Sequence, residues 1–138
     1  MTEQNVAIVK RWFEEVWNQR NADVIDELLT DESVCHDGDR ELRGPAEFKV
    51  QQFEPFLAAF SDLRVELDDV TAKNDQVIVR WTATGTHDGP GLGFPATNEP
   101  VRLKGMTWIV IQDGKLREGW QQSNMVEVIG RLQANVAD

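Results

Sequence analysis

The sequence predicts an α+β fold in which N-terminal helices pack on an antiparallel sheet built from the C-terminal part. Three observations carry this reading. Apolar residues recur at helical period as far as Phe60. From Leu63 the period drops to two. The pairs Asn74-Asp75 and Asp113-Gly114 then stand between alternating runs, where hairpin turns belong. Helices first and hairpin-linked strands afterwards define this class.

Residues 3–19 carry Val6, Val9, Trp12, Phe13, Val16 and Trp17, one apolar stripe of a helix, with Thr2 as N-cap. Residues 22–29 repeat the pattern with Val24, Ile25, Leu28 and Leu29, and Asn21 caps them. The stretch from Thr30 to Arg43 is polar and reads as a loop. Gly44-Pro45 opens a third helix, because proline is tolerated at a first helical position. Phe48, Gln52, Phe56 and Phe60 share one face of it, and Pro55 is expected to kink or split it.

Leu63, Val65 and Leu67 begin a half-buried strand. Gln76 to Asp88 forms a long one, with Val77, Val79, Trp81 and Ala83 on one face and Arg80, Thr82, Thr84 and Thr86 on the other. Residues 89–99 form a Gly/Pro-rich loop. Val101 to Gln112 and Lys115 to Ser123 are the arms of the last hairpin, and Met125 to Gln133 is a short closing helix. The expected order is three helices, four strands, one helix.

The 138 residues fit one domain spanning 1–138. Lys and Arg number 14 against 24 Asp and Glu, a net charge of −10, so nucleic acid and anionic membrane are excluded as main partners. The longest apolar runs, such as Trp108 to Ile111, are far too short to span a bilayer. Residues 1–5 show no export signal, which predicts a cytoplasmic protein. The single cysteine, Cys35, excludes an internal disulfide and a multi-cysteine metal site. Cys35, His36, Asp37 and Asp39 match no zinc spacing, so no metal is expected.

Several segments together resemble one family. They are Phe13 to Gln19 with Asp26 to Leu29, Val34-Cys35-His36-Asp37, Gly44-Pro45 with Phe48, and Ala59 to Leu63. Arg80 to His87, Gly93 to Thr97, Pro100-Val101, Asp113 to Lys115 and Glu118-Gly119-Trp120 complete the set. In order and spacing they are similar to the SnoaL-like polyketide cyclases, or ester cyclases, of the NTF2-like superfamily. The resemblance implies a cone-shaped, cystatin-like α+β fold with a deep apolar pocket, and a homodimer or higher oligomer. It implies an intramolecular aldol condensation on a polyketide ester, without metal or organic cofactor. In that reaction a carboxylate takes a proton from an activated carbon and returns it to the new alkoxide. The family usually places this Asp four residues after the tryptophan that corresponds to Trp120, and Asn124 stands there. An amide does not exchange a proton at neutral pH. Gln121 also replaces a common Asp or Asn.

The candidate catalytic residues are therefore His87, Glu118, His36 and Asp37. His87 follows the phase of the apolar face of its strand. Glu118 alternates with Leu116 and Trp120, which predicts that all three face inward and that the carboxyl is a proton carrier. The bland alternatives are a strand-end histidine, a sheet glutamate paired with Arg80, Arg102 or Arg117, and a polar loop at His36-Asp37. Asn124 and Gln121 are candidate donors to a ligand carbonyl, or else caps of the last helix. Trp120, Trp81, Trp12 and Phe56 are candidate walls for a small apolar molecule. Two functions remain open: cofactor-free cyclase or isomerase chemistry, and a non-catalytic binding or accessory dimer protein.

Overall fold

The computed structural model describes residues 2–136. Helix α1 (Thr2–Arg11) runs directly into a π-helical stretch, Trp12–Asn18. Helix α2 (Ala22–Leu28) starts at Asn21, whose side chain accepts the Asp23 N–H at 3.1 Å. Helix α3 (Gly44–Phe48), a π-helical turn (Lys49–Phe53) and helix α4 (Glu54–Ala59) follow one another without a break. The wide turn stands where Pro55 was expected to disturb the helix. Proline has no N–H to give and crowds the carbonyl one turn back, so the turn before it opens, and the Glu54 N–H bonds to the Lys49 carbonyl.

The stretch read as a polar loop corrects the expected strand count. It holds two short strands, β1 (Val34–Asp37) and β2 (Arg40–Arg43), joined through Gly38 at φ +60°. Four residues are too few for a clear period, and of the two strands only Leu42 is fully buried. Strands β3 (Arg64–Lys73), β4 (Gln76–Thr86), β5 (Pro100–Gln112) and β6 (Lys115–Ser123) complete a sheet of order β2-β1-β6-β5-β4-β3. All neighbours are antiparallel except β1 and β6, which run parallel. The β5–β6 turn has both Asp113 and Gly114 at positive φ, as a two-residue hairpin demands. Helix α5 (Met125–Val136) packs Val128 and Leu132 into the core. The result is α+β, N-terminal helices on a curved, open sheet.

Two β-bulges decide which side chains face inward. In β3 the register shifts between Leu67 and Asp69, so Val65 and Leu67 are followed inward by Val70 and Ala72. In β6, Leu116 pairs with Ile111 but Glu118 pairs with Val110, which leaves Arg117 as the extra residue. The phase flips there. Leu116 is buried, whereas Trp120 is 42% exposed on the outer face opposite Trp108, and this corrects the expectation that Leu116, Glu118 and Trp120 share an inner face.

The core lies between the helices and the inner face of the sheet. Val9, Val16, Ile25 and Phe60 meet Val77, Val79, Leu103 and Ile109 there, each buried side chain contributing about 1.5–3 kcal/mol. The Asn18 amide clamps the β3 edge, accepting the Val65 N–H at 2.7 Å and donating to its carbonyl at 2.9 Å. Among the described residues no helix is long and apolar enough to cross a membrane.

Candidate functional site

Between the helices and the sheet lie two adjoining cavities with shared walls. Measured as the space open to the centre of a water-sized sphere, they hold about 60 and about 40 Å³. Phe13, Trp17, Gln52 and Gln121 border both. The π-helical segments supply Trp12, Phe13 and Trp17 from one side and Gln52 from the other, so each wide turn faces the cavity. Of the predicted wall residues, Trp12 lines the first cavity and Trp81 and Phe56 the second. Trp120 lies outside both, on the opposite face of the sheet.

The polar groups of the cavity are tied down from behind. The Trp81 indole N–H donates to Thr107 Oγ1 at 2.9 Å, and Thr107 Oγ1 donates to Gln121 Oε1 at 3.0 Å. Gly105 makes room for this: a Cβ there would lie 2.3 Å from Trp81 Cζ2. Arg40 donates to Gln52 Oε1 and stands 4.0 Å from the Asp37 carboxylate. Ser33 Oγ donates to the Leu116 carbonyl at 2.6 Å. Cys35 also lines the first cavity; burial, and then the Asp37 carboxylate, push its thiol up to about 11. It is a protonated thiol at neutral pH, a poor nucleophile.

Glu118 is opposite Val110 and in phase with Trp120, so its side chain lies on the outer face of the sheet, and there its Oε2 accepts from His36 Nε2 at 2.7 Å; the strand itself separates this contact from the first cavity. The His36 ring stacks on Trp120, centroids 5.4 Å apart and planes 13° apart. The parallel pairing of β1 with β6 makes this contact, since it sets Val34 beside Glu118 and His36 beside Trp120. His36 and Asp37, adjacent on a strand, diverge: one meets Glu118, the other Arg40.

The other predicted site residues stand apart from the cavity. His87 is fully buried between Phe60 and Phe94, and its Nδ1 accepts the Thr97 N–H at 3.2 Å. Its Nε2 has no partner among the described residues. The Asn124 side chain accepts the Lys104 N–H at 2.9 Å and donates to the Arg102 carbonyl at 3.4 Å, joining the start of α5 to β5. Gln52, Arg40 and Thr107 escaped the sequence reading. The signal for Gln52 was its place on a helical face otherwise made of phenylalanines. Among the described residues no three His, Cys, Asp or Glu side chains gather as metal ligands would.

Comparison with known proteins follows the geometry. The model of the SnoaL-like polyketide cyclase family matches residues 7–131. Among solved structures, a candidate SnoaL-like polyketide cyclase from Jannaschia sp. CCS1 is 26% identical, with 97% of this chain and 94% of that chain covered and a TM-score of 0.87. AclR, a candidate hydroxylase from Streptomyces galilaeus, is 26% identical over 97% and 98% of the two chains, with a TM-score of 0.83. A candidate polyketide cyclase from Acidithiobacillus ferrooxidans is 26% identical over 96% of each chain, with a TM-score of 0.80. No curated protein matches. With the helices-on-sheet fold and a family match over nearly its whole length, the chain belongs to the SnoaL-like polyketide cyclases of the NTF2-like superfamily.

Proposed function

We propose that the protein performs cofactor-free acid/base chemistry, an aldol cyclisation or an isomerisation, on an apolar carbonyl compound of medium size held in the cavity. The observation that carries this reading is the place of Asp37, which is in register with Gln121 on the face of the sheet that borders the aromatic-lined cavity, next to the Arg40 that holds Gln52. A carboxylate on that face can take a proton from the carbon beside a carbonyl and pass it on. In this reading Asp37 is the base, Arg40 positions it beside Gln52, and the His36–Glu118 contact ties β1 to β6 on the outer face. His87 anchors the loop after β4. Two similar structures described as candidate polyketide cyclases support the reaction class, and AclR, described as a candidate hydroxylase, shows that the scaffold alone does not fix it. The reading includes a cytoplasmic homodimer that meets through the outer sheet face, where Met106, Trp108 and Trp120 are exposed.

The second reading is a non-catalytic binding or accessory protein. It is favoured by Asn124, which stands at the family's acid/base position with its amide spent on the β5 backbone. Incubation with an aromatic β-keto ester separates the two. Catalysis yields a product with new retention and absorbance, at a rate that falls about 10²–10⁴-fold in Asp37→Asn. Saturable binding of the ester without product would support the second reading, and a gain of product in Asn124→Asp would mark a degenerate cyclase site.

A further inference from the structure

The two glutamines on the shared wall of the cavity are polarised in the same sense. The indole N–H of Trp81 is a donor only, so Thr107 Oγ1 must accept from it. The one hydroxyl proton of Thr107 then goes to Gln121, which fixes the amide oxygen of Gln121 towards the sheet. The Arg40 guanidinium is likewise a donor only, so the amide oxygen of Gln52 faces Arg40. Each glutamine keeps its NH2 group, and among the described residues neither Nε2 has a protein acceptor. Gln52 is 4% exposed, and its unpaired amide is not among the fully enclosed atoms that lack a partner, so its open side is the cavity. Of the other polar side chains there, Ser33 donates to Leu116, and the Glu118 carboxylate is turned to the outer face of the sheet.

We propose that the Gln52 and Gln121 amides form a paired N–H donor site that takes the oxygen of a neutral carbonyl group, so that the protein selects ketones, esters or quinones over the matching alcohols and hydrocarbons. The inference rests on the proposed reading that the cavity binds an apolar carbonyl compound, and it names the feature by which that compound is recognised. A carbonyl oxygen has two lone pairs and no proton, which suits two converging N–H donors. An alcohol brings a proton for which the two amides offer no acceptor, and that mismatch weakens binding. The same donors strengthen their hold as charge builds on the oxygen of an enolate, so the pair also serves the proposed chemistry. Arg40 and Thr107 are positioning residues in this arrangement.

The test uses three compounds of nearly equal shape, 1-indanone, 1-indanol and indane, titrated against the full chain and followed by NMR at the glutamine side-chain NH2 signals. The expected result is binding of 1-indanone at least about fivefold tighter than the other two, with the Gln52 and Gln121 NH2 signals shifting for the ketone alone. In Gln52→Met and Gln121→Met the ketone preference is expected to collapse while indane binds as before, which also shows that the variants are folded. Equal binding of all three compounds by the parent protein would overturn the donor pair and leave the cavity reading standing. A ketone preference that persists in both variants would overturn it as well. Binding of none of the three would overturn the cavity reading together with the inference. A ketone preference that depends on both glutamines, found without any catalysis, would uphold the inference and leave only the catalytic reading overturned.

Discussion

Trp81 reaches Thr107 across its own partner on β5, and that partner has no side chain. Trp81 and Gly105 are opposite one another in the β4–β5 register, and the indole lies in the space a Cβ would need. Gly105→Ala should therefore displace the indole or bend the strand, because the added Cβ would also sit 2.8 Å from the Gln122 carbonyl oxygen. The expected cost is about 1–3 kcal/mol, a fall in the thermal midpoint of about 3–10 °C. Gly119→Ala is the control, since its Cβ meets nothing closer than the Trp108 carbonyl oxygen at 3.6 Å and should change the midpoint little. Equal losses in the two variants would contradict the account. At this scale the sequence was half legible. Trp12, Trp81, Phe56 and Gln121 were chosen from pattern and resemblance, and they line the cavity. Gln52 was visible on the face of its helix, but the Arg40 that gives its amide a direction comes from a strand whose placement the sequence does not reveal.

At the scale of elements, long periodic segments were legible and short or bulged ones were not. The helix over 3–19, the split at Pro55 and the β5–β6 hairpin follow from spacing, proline geometry and a two-residue turn. β1 and β2 do not, because each is four residues long and draws its stability from pairing with β6 and with each other. The β6 bulge hid the true face of Trp120, since one extra residue inverts every later side chain. The connection after β4 shows how such a segment is held. Asp88 and Gly89 donate their N–H groups to the Ala59 carbonyl at the end of α4, and a Cβ at Gly89 or Gly91 would strike the α4 backbone. The Asp88 carboxylate accepts from the Ser61 N–H at 3.0 Å and from the Ser61 hydroxyl, and these bonds hold its pKa below the usual value of 3.8. A carboxyl depressed in the folded state stabilises the fold fully above its ordinary pKa and ceases to do so as pH falls through the lower folded value. Asp88→Ala should thus lower the thermal midpoint at pH 7, and the gap from the parent protein should close once the solution is acid enough to protonate Asp88. A gap that is unchanged by acid would contradict this role.

At the scale of the whole molecule the sheet has one face committed to the core and one that is divided. Near β3 the outer face is polar and cross-linked, with Thr82 donating to Asp68 at 2.6 Å and Arg80 near Asp69. Over β5 and β6 it carries Met106, Trp108 and Trp120 at 53%, 46% and 42% exposure, with the two tryptophans directly opposite one another. An exposed apolar patch of this kind is where the proposed reading has a second copy bind. Light scattering should give the mass of two chains, and Trp108→Glu with Trp120→Ser should give one chain with the helical and strand signals intact. A monomeric parent protein would contradict the proposed dimer. The central claim is that the cavity and the Asp37 carboxylate move a proton at the carbon beside a carbonyl, and the most direct test does not need the natural substrate. The protein is incubated with 1-indanone in D2O, and loss of the C2 proton signal is followed by NMR. The account predicts exchange well above the buffer rate and a fall of about 10²-fold or more in Asp37→Asn. Exchange in the parent protein no faster than in Asp37→Asn, under conditions where 1-indanone is bound, would contradict it.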